Sequence, residues 1–87
     1  MLFRSVVDKS VHAGDVLNTV REAAGELLRE LRLFDEYAGK GIDPKRKSLG
    51  LGLTFQHLSR NLTDDEINNV IDGVVTRLAE SYDAALR

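Results

Sequence analysis

The sharpest pattern in the chain is a strict alternation. From Ser48 to Gln56, Leu49, Leu51, Leu53 and Phe55 take every second place, with Ser48, Gly50, Gly52 and Thr54 between them. A two-residue period is that of a strand with one buried face. Elsewhere the period changes. Val16, Leu17, Val20, Ala23, Ala24, Leu27 and Leu28 recur at three- and four-residue steps, which predicts a helix from about Ala13 to Ala24. Asp15 suits the positive end of that helix, and Gly25 suits its stop. A second helical stripe runs through Ile67, Val70, Ile71, Val74, Val75 and Leu78 to about Ser81. Thr63 and Glu66 form a capping box at its start, so the acidic run Asp64-Asp65-Glu66 has a structural explanation and no catalytic work is assigned to it.

Leu2 to Asp8 reads as a first strand, and Asp83 to Arg87 as a short edge strand. Leu28 to Tyr37 reads as a strand with a fault. Leu31 and Leu33 share a face, and Phe34 breaks the alternation. A bulge at Leu33-Phe34 keeps both inside and turns Asp35 and Tyr37 to the other face. The order is then β-α-β-β-α-β, an α+β ferredoxin-like sandwich: a four-stranded antiparallel sheet with two helices on one face. Leu49, Leu51, Leu53 and Phe55 are expected to face the helices. The open face is expected to carry Ser48, Gly50, Gly52, Thr54, Asp35 and Tyr37.

Composition narrows the functions available. With 87 residues the chain is one domain, 43% hydrophobic and 30% charged, without cysteine. No disulfide framework, Cys-based zinc site or thiol nucleophile can be built from it. No apolar run approaches the roughly 20 residues of a membrane helix, and Met1-Leu2-Phe3-Arg4 does not open a signal peptide. His12 and His57 lie in separate segments with no carboxylate at ligand spacing and no nucleophile partner. No active site is expected in these residues, so the function is expected to be binding.

Net charge is −2, yet Gly39 to Ser48 gathers Lys40, Lys45, Arg46 and Lys47 against a single acid, Asp43. By itself such a loop reads first as a solvated turn; it also suits an anionic partner at one edge. Alternating Gly50 and Gly52 leave a bare floor that something could approach. Beside it, Tyr37 either stacks on a flat base or itself folds over the glycines. Two RNA- or phosphate-handling rivals of the same topology fail. An RNA-recognition motif needs aromatic residues on the open face of the third strand. An acylphosphatase-like cradle needs glycines and an arginine where Asp8-Lys9-Ser10 stands.

The segments LFDEYAGKGI and KSLGLGLTF, the helix start Arg60-Asn61-Leu62-Thr63-Asp64-Asp65-Glu66 and the terminal ALR carry a family resemblance. From about Val6 to Arg87 the chain resembles the ferredoxin-fold anticodon-binding domain at the C-terminus of bacterial phenylalanyl-tRNA synthetase beta subunits. The resemblance implies a domain that grips the anticodon stem-loop of the phenylalanine tRNA, and neither DNA nor a membrane. It implies a cytoplasmic parent of two alpha and two beta subunits, with ATP and magnesium used by that parent and no cofactor here. It implies that Asp35, Tyr37 and Ser48 meet a guanine, the first anticodon base, above Gly50. Lys40, Lys45, Arg46 and Lys47 are then expected to meet phosphates. Family members often carry alanine at the place of Gly50, an aromatic residue near Leu51 and a larger residue at Gly52. The family's usual opening with a proline and two arginines is missing, so the chain is expected to be a fragment lacking the domain's first residues. The alternative class is a free-standing ferredoxin-like module that pairs with a protein or binds a regulatory ligand, as ACT-type domains do.

Overall fold

A computed structural model describes residues 1–57 and 61–86. Four strands and two helices follow in the order β1 (Leu2–Asp8), α1 (Ala13–Ala24), β2 (Leu28–Tyr37), β3 (Arg46–Phe55), α2 (Asp64–Tyr82) and β4 (Ala85–Leu86). The sheet order is β2-β3-β1-β4, and every neighbouring pair is antiparallel. Each helix therefore carries the chain over one intervening strand, which is the expected ferredoxin-like arrangement. Arg60 and Arg87, which belong to the resemblance, lie outside the described residues.

The core forms where the two periods meet. Leu49, Leu51 and Leu53 of β3 are buried with Val7 of β1, Val16, Val20 and Ala24 of α1, and Ile71, Val74 and Leu78 of α2. Phe55, Ile67 and Val70 pack at its margin. Burying a side chain of the Leu or Val class contributes about 1.5–3 kcal/mol, so this layer holds the helices to the sheet. Local chemistry sets the ends. Gly25 closes α1 at φ 69°, a conformation that costs glycine nothing, and a single 3₁₀ turn, Gly25–Leu27, then leads into β2. At α2 both halves of the Thr63–Glu66 capping box form. Asp83 ends this helix in the left-handed region, at φ 52°.

The bulge in β2 is present, between Leu33 and Asp35, and a second irregularity falls between Leu28 and Glu30. Its consequence differs from the expectation. Leu33 pairs with Leu51 on the helix side, near the sheet margin. Phe34, expected inside, turns to the opposite face and is 43% exposed. The reason is geometric. A bulge residue has no partner across the ladder to fix its face, and the glycines of β3 leave room there for a ring.

Leu51 is wholly buried at the centre of this layer. Leu51→Ala is expected to cost about 2–5 kcal/mol, against about 1 kcal/mol for removal of the cap in Thr63→Ala. Urea unfolding of the two variants measures the difference.

Candidate nucleic-acid interface

The face turned away from the helices is built by register. Asp35 pairs with Gly50 and Tyr37 with Ser48 across β2 and β3, while Arg4 pairs with Gly50 from β1. Residues directly opposite share a face, so Arg4, Gly50 and Asp35 form one row and Ser48 and Tyr37 the next. Four of the expected residues therefore stand together: Asp35, Tyr37, Ser48 and Gly50.

The floor is not bare. A Cβ placed on Gly50 would lie 2.7 Å from the Phe34 ring and 3.1 Å from the Asp35 Cβ. One placed on Gly52 would meet a Leu2 methyl at 3.1 Å. Phe34, not Tyr37, is the aromatic residue that covers the glycines. Over the same floor the Arg4 guanidinium donates from Nη1 to Asp35 Oδ2 at 2.5 Å, linking β1 to β2 across β3. Its carbon also sits 5.4 Å from the Phe34 ring centroid, within cation–π range. Both partners of the ion pair are between a third and two-fifths exposed, where such pairs contribute at most about 1 kcal/mol.

Tyr37 leans over the β2–β3 loop instead. Its hydroxyl donates to the Lys40 carbonyl at 2.9 Å, and its ring lies against Gly39. Tyr37 as a whole remains 38% exposed. Ser48 lies lower, with no exposed surface, and its Oγ has no hydrogen-bond partner among the described residues. An unpaired buried hydroxyl costs about 1–3 kcal/mol.

The four basic residues divide. Lys40 and Lys45 are exposed on the loop. Arg46 is half-buried, and its Nη2 donates to the carbonyls of Val6 at 2.9 Å and Asp83 at 2.6 Å. These two bonds tie the start of β3 to β1 and to the end of α2. Lys47 falls on the face of Leu49 and reaches Glu36 at 3.2 Å, with only 15% of its side chain exposed. Arg4 and Phe34 are the members of this surface that sequence reasoning missed. The signal for Arg4 was the alternation of Leu2, Arg4 and Val6 against Phe3, Ser5 and Val7, which puts it on the face of Gly50.

Among the described residues no three His, Cys, Asp or Glu side chains are placed to hold a metal ion. No helix among them is long and apolar enough to cross a membrane.

A ferredoxin-like sandwich whose open sheet face carries a carboxylate and a phenol above a buried hydroxyl, beside two exposed lysines, belongs to the class of small binding domains. Its family is shown by comparison: the chain belongs to the ferredoxin-fold anticodon binding domain family, whose sequence profile matches residues 4–87. Among similar proteins are phenylalanine–tRNA ligase beta subunits. That of Pseudomonas fluorescens is 54% identical over 82 residues, and that of Pseudomonas syringae pv. syringae 55% over the same length. That of Vibrio parahaemolyticus is 44% identical over 82 residues. In each case the match covers 94% of this chain and 10% of the relative, so the chain spans about a tenth of their length.

The two glycines are expected to respond differently to a methyl group. Gly50→Ala pushes the Phe34 ring aside and is expected to cost about 1 kcal/mol, the low end for overpacking, because the tip of a ring can swing. Gly52→Ala meets an exposed Leu2 methyl and, at ordinary contact distance, the Phe34 ring, and is expected to be neutral or stabilising by up to about 1 kcal/mol. Thermal unfolding of both variants gives the signs.

Proposed function

We propose that this chain is the tRNA-binding module of a phenylalanine–tRNA ligase beta subunit, and that its open sheet face recognises the anticodon stem-loop of the phenylalanine tRNA. The observation that carries this reading is the cross-strand placement of Asp35, Tyr37 and Ser48 around Gly50. An ionised carboxylate accepts two N–H donors from the Watson–Crick edge of guanine, a pattern that adenine and the pyrimidines lack. Tyr37 supplies a ring for stacking, and the unpaired Ser48 hydroxyl can donate or accept. The proposed phosphate contacts narrow to Lys40 and Lys45, since Arg46 and Lys47 already have partners within the protein. Catalysis, ATP and magnesium belong on this reading to other parts of the ligase, a cytoplasmic assembly of two alpha and two beta subunits.

A free-standing protein-pairing module is favoured less, because it calls for an apolar open face. Here Arg4, Asp35, Arg32, Glu30 and Thr54 share that face with Phe34 and Leu2.

Binding of synthetic stem-loops tests the reading. Tyr37→Ala is expected to cost about 1–3 kcal/mol. Asp35→Ala is expected to erase preference for a guanine-first anticodon and leave the salt dependence unchanged. Alanine at Lys40 and Lys45 is expected to weaken binding to every stem-loop, with a log–log salt slope shallower by roughly 0.7 for each phosphate no longer neutralised. Equal binding of guanine-first and adenine-first stem-loops by the unmodified chain would refute base reading.

A further inference from the structure

We propose that Arg4 tempers guanine selectivity: its guanidinium engages the Asp35 carboxylate in the free domain as a stand-in for the guanine edge, and the base must displace it to be read. This rests on the base-reading role of Asp35 proposed above.

Three observations converge on one spot. Arg4 reaches from β1 across β3 and donates to Asp35 Oδ2, so one oxygen of the carboxylate that would read guanine is already engaged. Gly50 faces away from the helices and has no side chain, yet it is buried beneath Phe34 and Asp35, in the row that Arg4 spans. Ser48, two places along β3, has 0% exposure, and its Oγ is unpartnered among the described residues. The site is therefore closed in the free chain, and a polar atom inside it lacks a bond that a ligand could supply.

The chemistry of exchange is matched. A guanidinium presents N–H donors in a flat fork that fits a carboxylate. Guanine presents N1–H and the N2 amino group side by side on a flat ring and can take the same acceptor oxygens. Adenine, with an acceptor nitrogen at that position, cannot. Adenine leaves the ion pair in place, whereas guanine replaces one charge-assisted bond by two bonds, so only guanine bears the cost of displacing Arg4. The Phe34 ring beside the guanidinium gives it a resting place close by once displaced. Since an exposed ion pair contributes at most about 1 kcal/mol, Arg4 can lower guanine affinity by at most about fivefold.

The test compares stem-loops that differ only in guanine or adenine as first anticodon base, with the 87-residue chain and its Arg4→Met and Arg4→Lys variants. Circular dichroism checks that each variant is folded. In Arg4→Met the guanine-to-adenine affinity ratio is expected to rise about three- to fivefold, and in Arg4→Lys by less. Taking the ratio cancels the general weakening of attraction from removing a positive charge. In an Asp35→Ala background Arg4→Met is expected to leave the ratio unchanged. A ratio that stays or falls in Arg4→Met, while Asp35→Ala still abolishes selectivity, overturns the displacement and leaves base reading standing. A guanine preference that survives Asp35→Ala overturns both. A readout without substitution is the Arg4 side-chain nitrogen resonance. It is expected to move on saturation with the guanine-first stem-loop, and an unmoved resonance also overturns the proposal.

Discussion

The fold and its binding face both depend on the two-sided demand placed on β3. One side must fill the space under two helices, and Leu49, Leu51 and Leu53 do so completely. The other must stay so low that a ring and an ion pair can lie across the strand, which requires hydrogen rather than methyl at Gly50. Because side chains alternate with a period of two, these demands cannot be adjusted separately. A slip of one residue would bury the glycines and expose the leucines. The hydrophobic layer that stabilises the domain thus also fixes the register in which Asp35, Tyr37 and Arg4 meet.

The elements were legible from the chain because their signals are local. A strict alternation, two helical stripes and a capping box each need only their own residues, and each appears where expected. The bulge was legible as a break in alternation, but its outcome for Phe34 was not. Which way an unpaired bulge residue points depends on the empty space across the ladder, a property of β3 rather than of β2. Arg4 was hidden for a similar reason. Its significance arises only when β1 is laid beside β3 with Arg4 opposite Gly50, a pairing between residues far apart in the chain.

The basic loop shows the limit of composition as a guide. Lys40, Lys45, Arg46 and Lys47 lie close together in sequence and suggested a single anion-binding patch. Strand alternation separates Arg46 from Lys47 by sending them to opposite faces, and each then finds a partner nearer than solvent. Arg46 answers two main-chain carbonyls that would otherwise compete for water, at the junction of β1, β3 and the end of α2. Charge density along a chain therefore overstates charge density on a surface whenever the run enters a strand.

The irregular course of β2 has a bearing on solubility. This strand lies at the border of the sheet, so one side of its backbone has no neighbouring strand among the described residues. A long flat border is a template on which a second copy can add a strand. Here the ladder shifts twice within ten residues, and Arg29, Glu30, Arg32, Asp35 and Glu36 give the strand an ionisable side chain at every second position on average. An incoming strand would face broken spacing and a border of solvated charges, so the kink that delivers Phe34 to the glycines also guards the border against edge-to-edge aggregation.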